Sequence, residues 1–338
     1  MKKINLTFLF IVAISFSSIA QSMEEYLKVV AADYNAVAVE TWRYAKKAKH
    51  SGEVEPLEST RRQLITKTQT AIKRLKDLGG WEGDAKFSGA VMRHYETNLK
   101  VLQHGYPLLI DLGKYKNKSS FEMEKYIRKE KKLRDDLLTT NMVAAQAQTD
   151  FTVSHKINTD ADNMGLVKRM EKAGLAYDYY DKIFMMNFES TKLDAELVEA
   201  LKTKEVKKIE IVRLKLLKSS NAGLAKVNAI GPYGTDNRMI MPTKQLLNFY
   251  KKEAEELVPT QIEFFNAQIH LKEHAKVMGA KKKRTKQDVE KFNVEMRELK
   301  AKTELYNREN DKMNVRRTYV VNVWNNDAKN FIDINVPE

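Results

Sequence analysis

Gly79-Gly80-Trp81-Glu82-Gly83-Asp84 and, 152 residues later, Gly231-Pro232-Tyr233-Gly234-Thr235-Asp236 decide how this chain folds. Each hexapeptide opens on a glycine, which accepts the positive φ that ends a helix. Each closes on an aspartate, which can accept a hydrogen bond from a free backbone N–H of the next helix. The aromatic between them is placed to plug the end of a helical bundle. Upstream, the same 152-residue shift aligns 54–78 with 206–230 without a gap. Glu58 meets Glu210, Arg61 meets Arg213, Leu64 meets Leu216, Leu75 meets Val227 and Leu78 meets Ile230. An apolar period of three and four residues on both sides of the shift marks amphipathic helices and an internal repeat.

Reading outward, helix 1 is expected from Met23 to Ala48, with Tyr26, Val30, Tyr34, Val37, Thr41 and Tyr44 on one face. Helix 2 runs to Leu78, helix 3 from Asp84 past Ile110, and helix 4 from Ser119 or Ser120 to Val153, with Glu122 in its first turn. Pro107 and Pro259 obey the 152-residue shift and predict a bend in helix 3 of each half. In the last helix the best match shifts by 168, pairing Asp136-Leu137 with Glu304-Leu305 and Phe151 with Tyr319. That predicts 16 extra residues in the second half, about two turns on each helix of its 3–4 hairpin. The expected fold is all-α. It comprises two tandem four-helix up-down bundles from an internal duplication, following a cleaved signal peptide. The divisions are 1–20 (signal), 21–158 (first repeat) and 159–338 (second repeat, with a lengthened hairpin and a short C-terminal tail).

The export signal is Lys2-Lys3, an uncharged apolar run from Leu6 to Phe16, and Ser18-Ile19-Ala20 as a small-x-small cleavage site before Gln21. No later run approaches the roughly 20 apolar residues of a membrane span. The 338 residues contain no cysteine, which excludes a lipoprotein anchor, disulfides and thiolate chemistry. Net charge is +14, of which Lys2 and Lys3 contribute two. The excess favours anionic partners, and export makes nucleic acid a poor fit. The expected location is the periplasm, the cell surface or the exterior.

Ala71-Ile72-Lys73-Arg74-Leu75, then Trp81-Glu82-Gly83-Asp84, then Tyr95, resemble a loosely defined family of secreted helical surface proteins of Bacteroidota and spirochaetes. The resemblance covers about a fifth of the chain. It implies a non-enzymatic surface or envelope role and supplies no catalytic residues.

Two places qualify as binding sites. Trp81 with Asp84, and Tyr233 with Asp236, could form equivalent loops in which the ring stacks on a ligand such as a sugar. Lys281, Lys282, Lys283, Arg284 and Lys286 form the densest cationic run and could dock on phosphate-bearing surfaces. His270-Leu271-Lys272-Glu273-His274 has the H-x-x-E-H spacing that sets two imidazoles on one helix face. A zinc hydrolase there would need a further acidic ligand from elsewhere, and the neighbouring lysines oppose a dication. Tyr177, Tyr179, Tyr180, Phe184, Met185, Met186 and Phe188 could line an apolar pocket. The expectation is therefore a binding or structural module without a cofactor. Its partner would be an envelope or surface component, either a protein or an anionic glycan or lipid. An apolar-ligand carrier and a metal-dependent hydrolase at His270 and His274 are the alternatives.

Overall fold

The computed structural model describes residues 22–50, 54–105, 119–158 and 164–336. The signal segment, Pro107 and the end of the expected helix 3 lie outside them. The described residues are helical apart from turns and two isolated bridges, so the chain is all-α. In chain order the helices are α1 (Met23–His50), α2 (Val54–Leu78), α3 (Lys86–Lys100), α4 (Ser120–Ser154), α5 (Gly165–Thr203), α6 (Val206–Ile230), α7 (Ile240–Lys252), α8 (Val258–Ala280) and α9 (Lys286–Asn335). A π-helical turn continues α3 at Val101–Gly105, and another joins α7 to α8 at Glu253–Leu257. Among the described residues no helix is long and apolar enough to cross a membrane.

The helix starts follow from local chemistry. Ser22 and Glu25 cap α1 reciprocally: the Glu25 N–H donates to Ser22 Oγ, and the Ser22 N–H to Glu25 Oε2, both at 3.2 Å. Ser119 and Glu122 do the same for α4, and Thr285 and Asp288 for α9. Each box satisfies two backbone donors that a helix N-terminus leaves free.

Contacts divide the chain into two compact units, Met1–Ile110 with Asp136–Val167, and Asp111–Asp135 with Lys168–Glu338. The first part of α4 thus packs with the second unit. There Arg134 Nη2 reaches Asp178 Oδ1 at 2.8 Å, Lys131 Nζ reaches Asp178 Oδ2 at 2.8 Å, and Arg134 lies over the Tyr177 ring.

Within the first unit Tyr26, Val37, Tyr95, Phe87 and Leu102 are buried core. The second unit buries Ile183, Leu197, Leu216, Tyr250 and Phe331. Helix α6 approaches α5 closely at Gly223: a Cβ there would sit 2.5 Å from the Met186 carbonyl oxygen and 3.0 Å from Leu247.

The same contacts recur in both units at equal or nearly equal spacings. Tyr26 donates to the Gly79 carbonyl at 3.0 Å, and Tyr179 to that of Gly231 at 2.7 Å. Arg61 chelates Glu58 and donates to the Leu102 carbonyl at 2.8 Å; Arg213 chelates Glu210 and donates to the Ala254 carbonyl at 3.1 Å. Both carbonyls belong to π turns. At the second, the Val258 N–H bonds the Glu253 carbonyl, and Arg213 donates to that of Ala254. The π turns themselves keep the 152-residue shift, whereas Pro259 follows its turn directly, in the first turn of α8.

The last helix departs from the expected register. Phe151 packs on Tyr26 at 5.8 Å between ring centroids, and the residue in that place in the second unit is Phe331, 5.6 Å from Tyr179. Tyr319, the sequence match, is 53% exposed, with Arg316 over its ring. The matching shift is 180, so the second unit carries 28 more residues, not 16, between its π turn and this contact. The match at 168 arose because aromatic and β-branched residues recur along α9, and alignment by residue type alone could not tell a buried ring from an exposed one.

Candidate functional site

The two hexapeptides fold alike. Gly79 and Gly231 take φ of 67° and 70° and end α2 and α6. Trp81 and Asp84 exchange backbone hydrogen bonds at 3.1 and 2.7 Å, as Tyr233 and Asp236 do at 3.1 and 3.0 Å. Asp84 Oδ1 accepts from the Lys86 N–H at 3.0 Å, and Asp236 Oδ1 from the Arg238 N–H at 2.9 Å. The second oxygen of each aspartate binds at the end of the final helix of its unit: Asp84 meets His155 Nε2, just past α4, at 3.4 Å, and Asp236 accepts from Asn335 Nδ2 at 2.9 Å. The Lys86 N–H, with His155 adding to it, holds the Asp84 carboxyl below its ordinary range. The Trp81 ring lies 5.5 Å from Tyr26, and the Tyr233 ring 5.3 Å from Tyr179 and 5.4 Å from Phe331. Both rings are half-buried against the core, and both aspartates are engaged. The loops act as clasps tying three helices together.

The basic run is the turn between α8 and α9. Residues 281–285 make the reversal, and Thr285 caps α9. Lys281 Nζ reaches Asp288 Oδ1 at 2.7 Å and holds that carboxyl down to about 2. Arg284 Nε donates to the Met278 carbonyl at 3.0 Å, closing the end of α8. Two of the five cations are therefore used by the fold. Lys282, Lys283 and Lys286 are exposed and make no ion pair among the described residues. An open groove of about 340 Å³ beside them is lined by Arg284, Lys286, Asn293 and Arg297, with Glu290 on its wall.

The stem below this tip is a pair of packed helices. On α9 the less exposed positions include Phe292, Glu295, Leu299, Tyr306, Met313 and Val320, which keep a heptad phase. On α8 they are Gln261, Phe264, Phe265, Leu271, His274 and Met278. Phe264 stacks on Tyr306 at 4.5 Å, and Gln261 Nε2 donates to Asn310 at 3.3 Å. His274 Nδ1 lies 2.5 Å from Glu295 Oε2, and His270 Nδ1 lies 3.8 Å from the same oxygen. The acidic neighbour that the H-x-x-E-H spacing required thus comes from the facing helix. Sequence spacing within one helix could not identify Glu295, because it lies across the turn on the facing helix.

A second feature was missed. Where the π turn leaves α7, Glu253 is wholly buried and paired with Arg317 of α9, whose Nε reaches Asp194 of α5 at 3.1 Å. Burial, reinforced by the Asp194 charge and opposed by Arg317, pushes the Glu253 carboxyl well above its ordinary range. Tyr250 donates to Thr191 at 3.4 Å beside them. At the corresponding level the first unit holds neutral groups: Asn98 donates to Thr41 at 3.0 Å and Thr68 at 3.3 Å. A buried arginine flanked by two carboxylates fixes the partners of three helices, since any other pairing strands a charge.

The aromatic face of α5 packs on itself. Phe184 contacts Tyr180, Phe188 and Trp324 at 5.5 to 6.3 Å.

No protein-family model matches the chain, and no curated protein or solved structure is detectably similar to it.

Proposed function

We propose that this chain is an exported, non-enzymatic envelope or surface protein, built as two copies of one four-helix bundle. In this reading the α8–α9 hairpin of the second copy docks on a polyanionic, phosphate-bearing component of the envelope. One observation carries it: the cations at the hairpin tip divide into two that hold the turn and three that face solvent. The turn is preorganised, so presenting Lys282, Lys283 and Lys286 to an anionic surface costs little further ordering. Each lysine near such a surface contributes roughly 1 kcal/mol. The recurring clasps and arginine–π-turn contacts support the duplication. Lys2-Lys3, the apolar run and Ser18-Ile19-Ala20 support export, and the resemblance in 71–95 points the same way.

Binding of the chain from Gln21 onward to vesicles tests the docking. Vesicles containing anionic phospholipid or lipopolysaccharide should retain the protein, and zwitterionic vesicles should not. Lys282→Glu, Lys283→Glu and Lys286→Glu together should abolish retention without altering the helical CD spectrum. Equal retention of wild type and triple variant overturns the docking. Export is tested separately, by N-terminal sequencing of the exported protein, which should begin at Gln21.

A further inference from the structure

We propose that His270, His274 and Glu295 form a binding site for one first-row divalent cation of the zinc type, which clamps α8 to α9 partway along the hairpin. The site lies away from the lysine tip and does not depend on the docking role.

The argument begins with spacing. His270 and His274 are one helical turn apart, with ring centroids 6.3 Å from each other. Antiparallel packing brings Glu295 to their level. Both imidazoles turn the same atom, Nδ1, toward one carboxylate oxygen, at 3.8 and 2.5 Å. Metal–ligand bonds of about 2.0 to 2.2 Å in tetrahedral geometry put neighbouring donor atoms about 3.3 Å apart. The two observed separations fall on either side of that value. Among the described residues no three such side chains are already arranged to hold a metal ion. Here a hydrogen bond between His274 and Glu295 takes the place of coordination. Binding requires that contact to lengthen and the two imidazoles to converge from ring centroids 6.3 Å apart, which brings three ligands together and leaves a fourth position for water.

Burial and composition support the assignment. His274 is 17% exposed and His270 66%, so one ligand is fixed and the other free to swing in. The Phe292 ring stands edge-on to His274 at 5.6 Å and shields it on one side. His274 and Glu295 occupy seam positions whose neighbours, Leu271, Met278, Phe292 and Leu299, are apolar. A polar pair in such a seam fixes register at a cost in stability; metal binding gives the pair a second use. Lys291 acts on Glu295 and opposes the cation, and Lys272 and Lys276 are exposed on the same stretch of α8. Two imidazole nitrogen donors favour zinc over magnesium or calcium, which select oxygen.

The test is isothermal titration of the chain from Gln21 onward with Zn²⁺, together with amide hydrogen exchange across 264–306. The expected result is one saturable site per chain and slower exchange confined to the stem. His270→Ala and Glu295→Gln should each weaken binding about tenfold or more, while Glu273→Gln leaves it unchanged. CD melts without metal should show His270→Ala folded as wild type, because that side chain is mostly solvated. Absence of a saturable site, or wild-type affinity in both ligand variants, overturns the proposal. Vesicle retention by a Zn²⁺-blind variant that equals wild type leaves the docking role standing on its own.

Discussion

Replacing Phe331 by alanine should unfold the second unit far more readily than replacing Tyr319, although the two lie in one helix and sequence matching preferred Tyr319. Phe331 is wholly buried, and its ring is held by Tyr179 at 5.6 Å and Tyr233 at 5.4 Å. Removing such a side chain forfeits its transfer free energy and leaves a cavity, together about 3 to 5 kcal/mol. Tyr319 is 53% exposed and touches chiefly Arg316, so its loss should cost under about 1 kcal/mol. The assay is urea unfolding followed by fluorescence in a Trp42→Phe, Trp81→Phe background, where Trp324 of α9 is the remaining tryptophan. With an m-value near 2 kcal/mol/M, Phe331→Ala should lower the Trp324 midpoint by about 1.5 to 2.5 M, and Tyr319→Ala by less than about 0.5 M. Comparable shifts, or a Phe331→Ala shift below about 0.5 M, would refute the 180-residue correspondence and the clasp built on it.

Glu253 should make the second unit less stable as pH rises. Its folded carboxyl holds a proton more tightly than an unfolded glutamate, so its contribution is complete below the ordinary value of 4.5 and declines as pH climbs above it. Glu253→Gln should flatten the dependence of Tm on pH between 5 and 9. Glu58 has the opposite sign: Arg61 holds it down to about 2, so its contribution is present above 4.5 and lost as pH falls toward 2. Glu58→Gln should remove that acid limb from CD-monitored titrations. Gly223→Ala should cost about 1 to 3 kcal/mol, because its Cβ meets the Met186 carbonyl oxygen, whereas Gly174→Ala meets open space in α5 and should gain about 0.5 to 1 kcal/mol. Denaturant midpoints opposite in sign for the two glycines would bear this out, and equal ones would not. Arg61→Met and Arg213→Met should each raise amide exchange around their own π turns, since each removes a donor worth about 1 kcal/mol from a bound carbonyl.

Helix placement was legible because its signals are local. Ser119 with Glu122, Gly79 and Gly231 mark the ends of their helices through chemistry within four residues. The clasps were half legible. Their turn and its capping aspartate were evident, but His155 and Asn335 were not, because an imidazole and an amide share no pattern that alignment would pair. The buried Asp194–Glu253–Arg317 group was hidden for a physical reason. Charged side chains in an amphipathic helix are ordinarily assigned to water, and the neutral Asn98, Thr41 and Thr68 of the first unit give no hint of ions at that level. His270 and His274 stood out by spacing, whereas Glu295 could be found only once the hairpin register was known.

The length of that hairpin has an electrostatic consequence. From Asn310, paired with Gln261 near the base, to Lys286 at the tip is 24 residues of α9, about 36 Å at 1.5 Å per residue. Screening at physiological salt acts over about 8 Å. The lysines therefore stand several screening lengths from the charges beyond the hairpin base, including Arg317 and Asp194. What they attract is set by the last two turns of the hairpin alone.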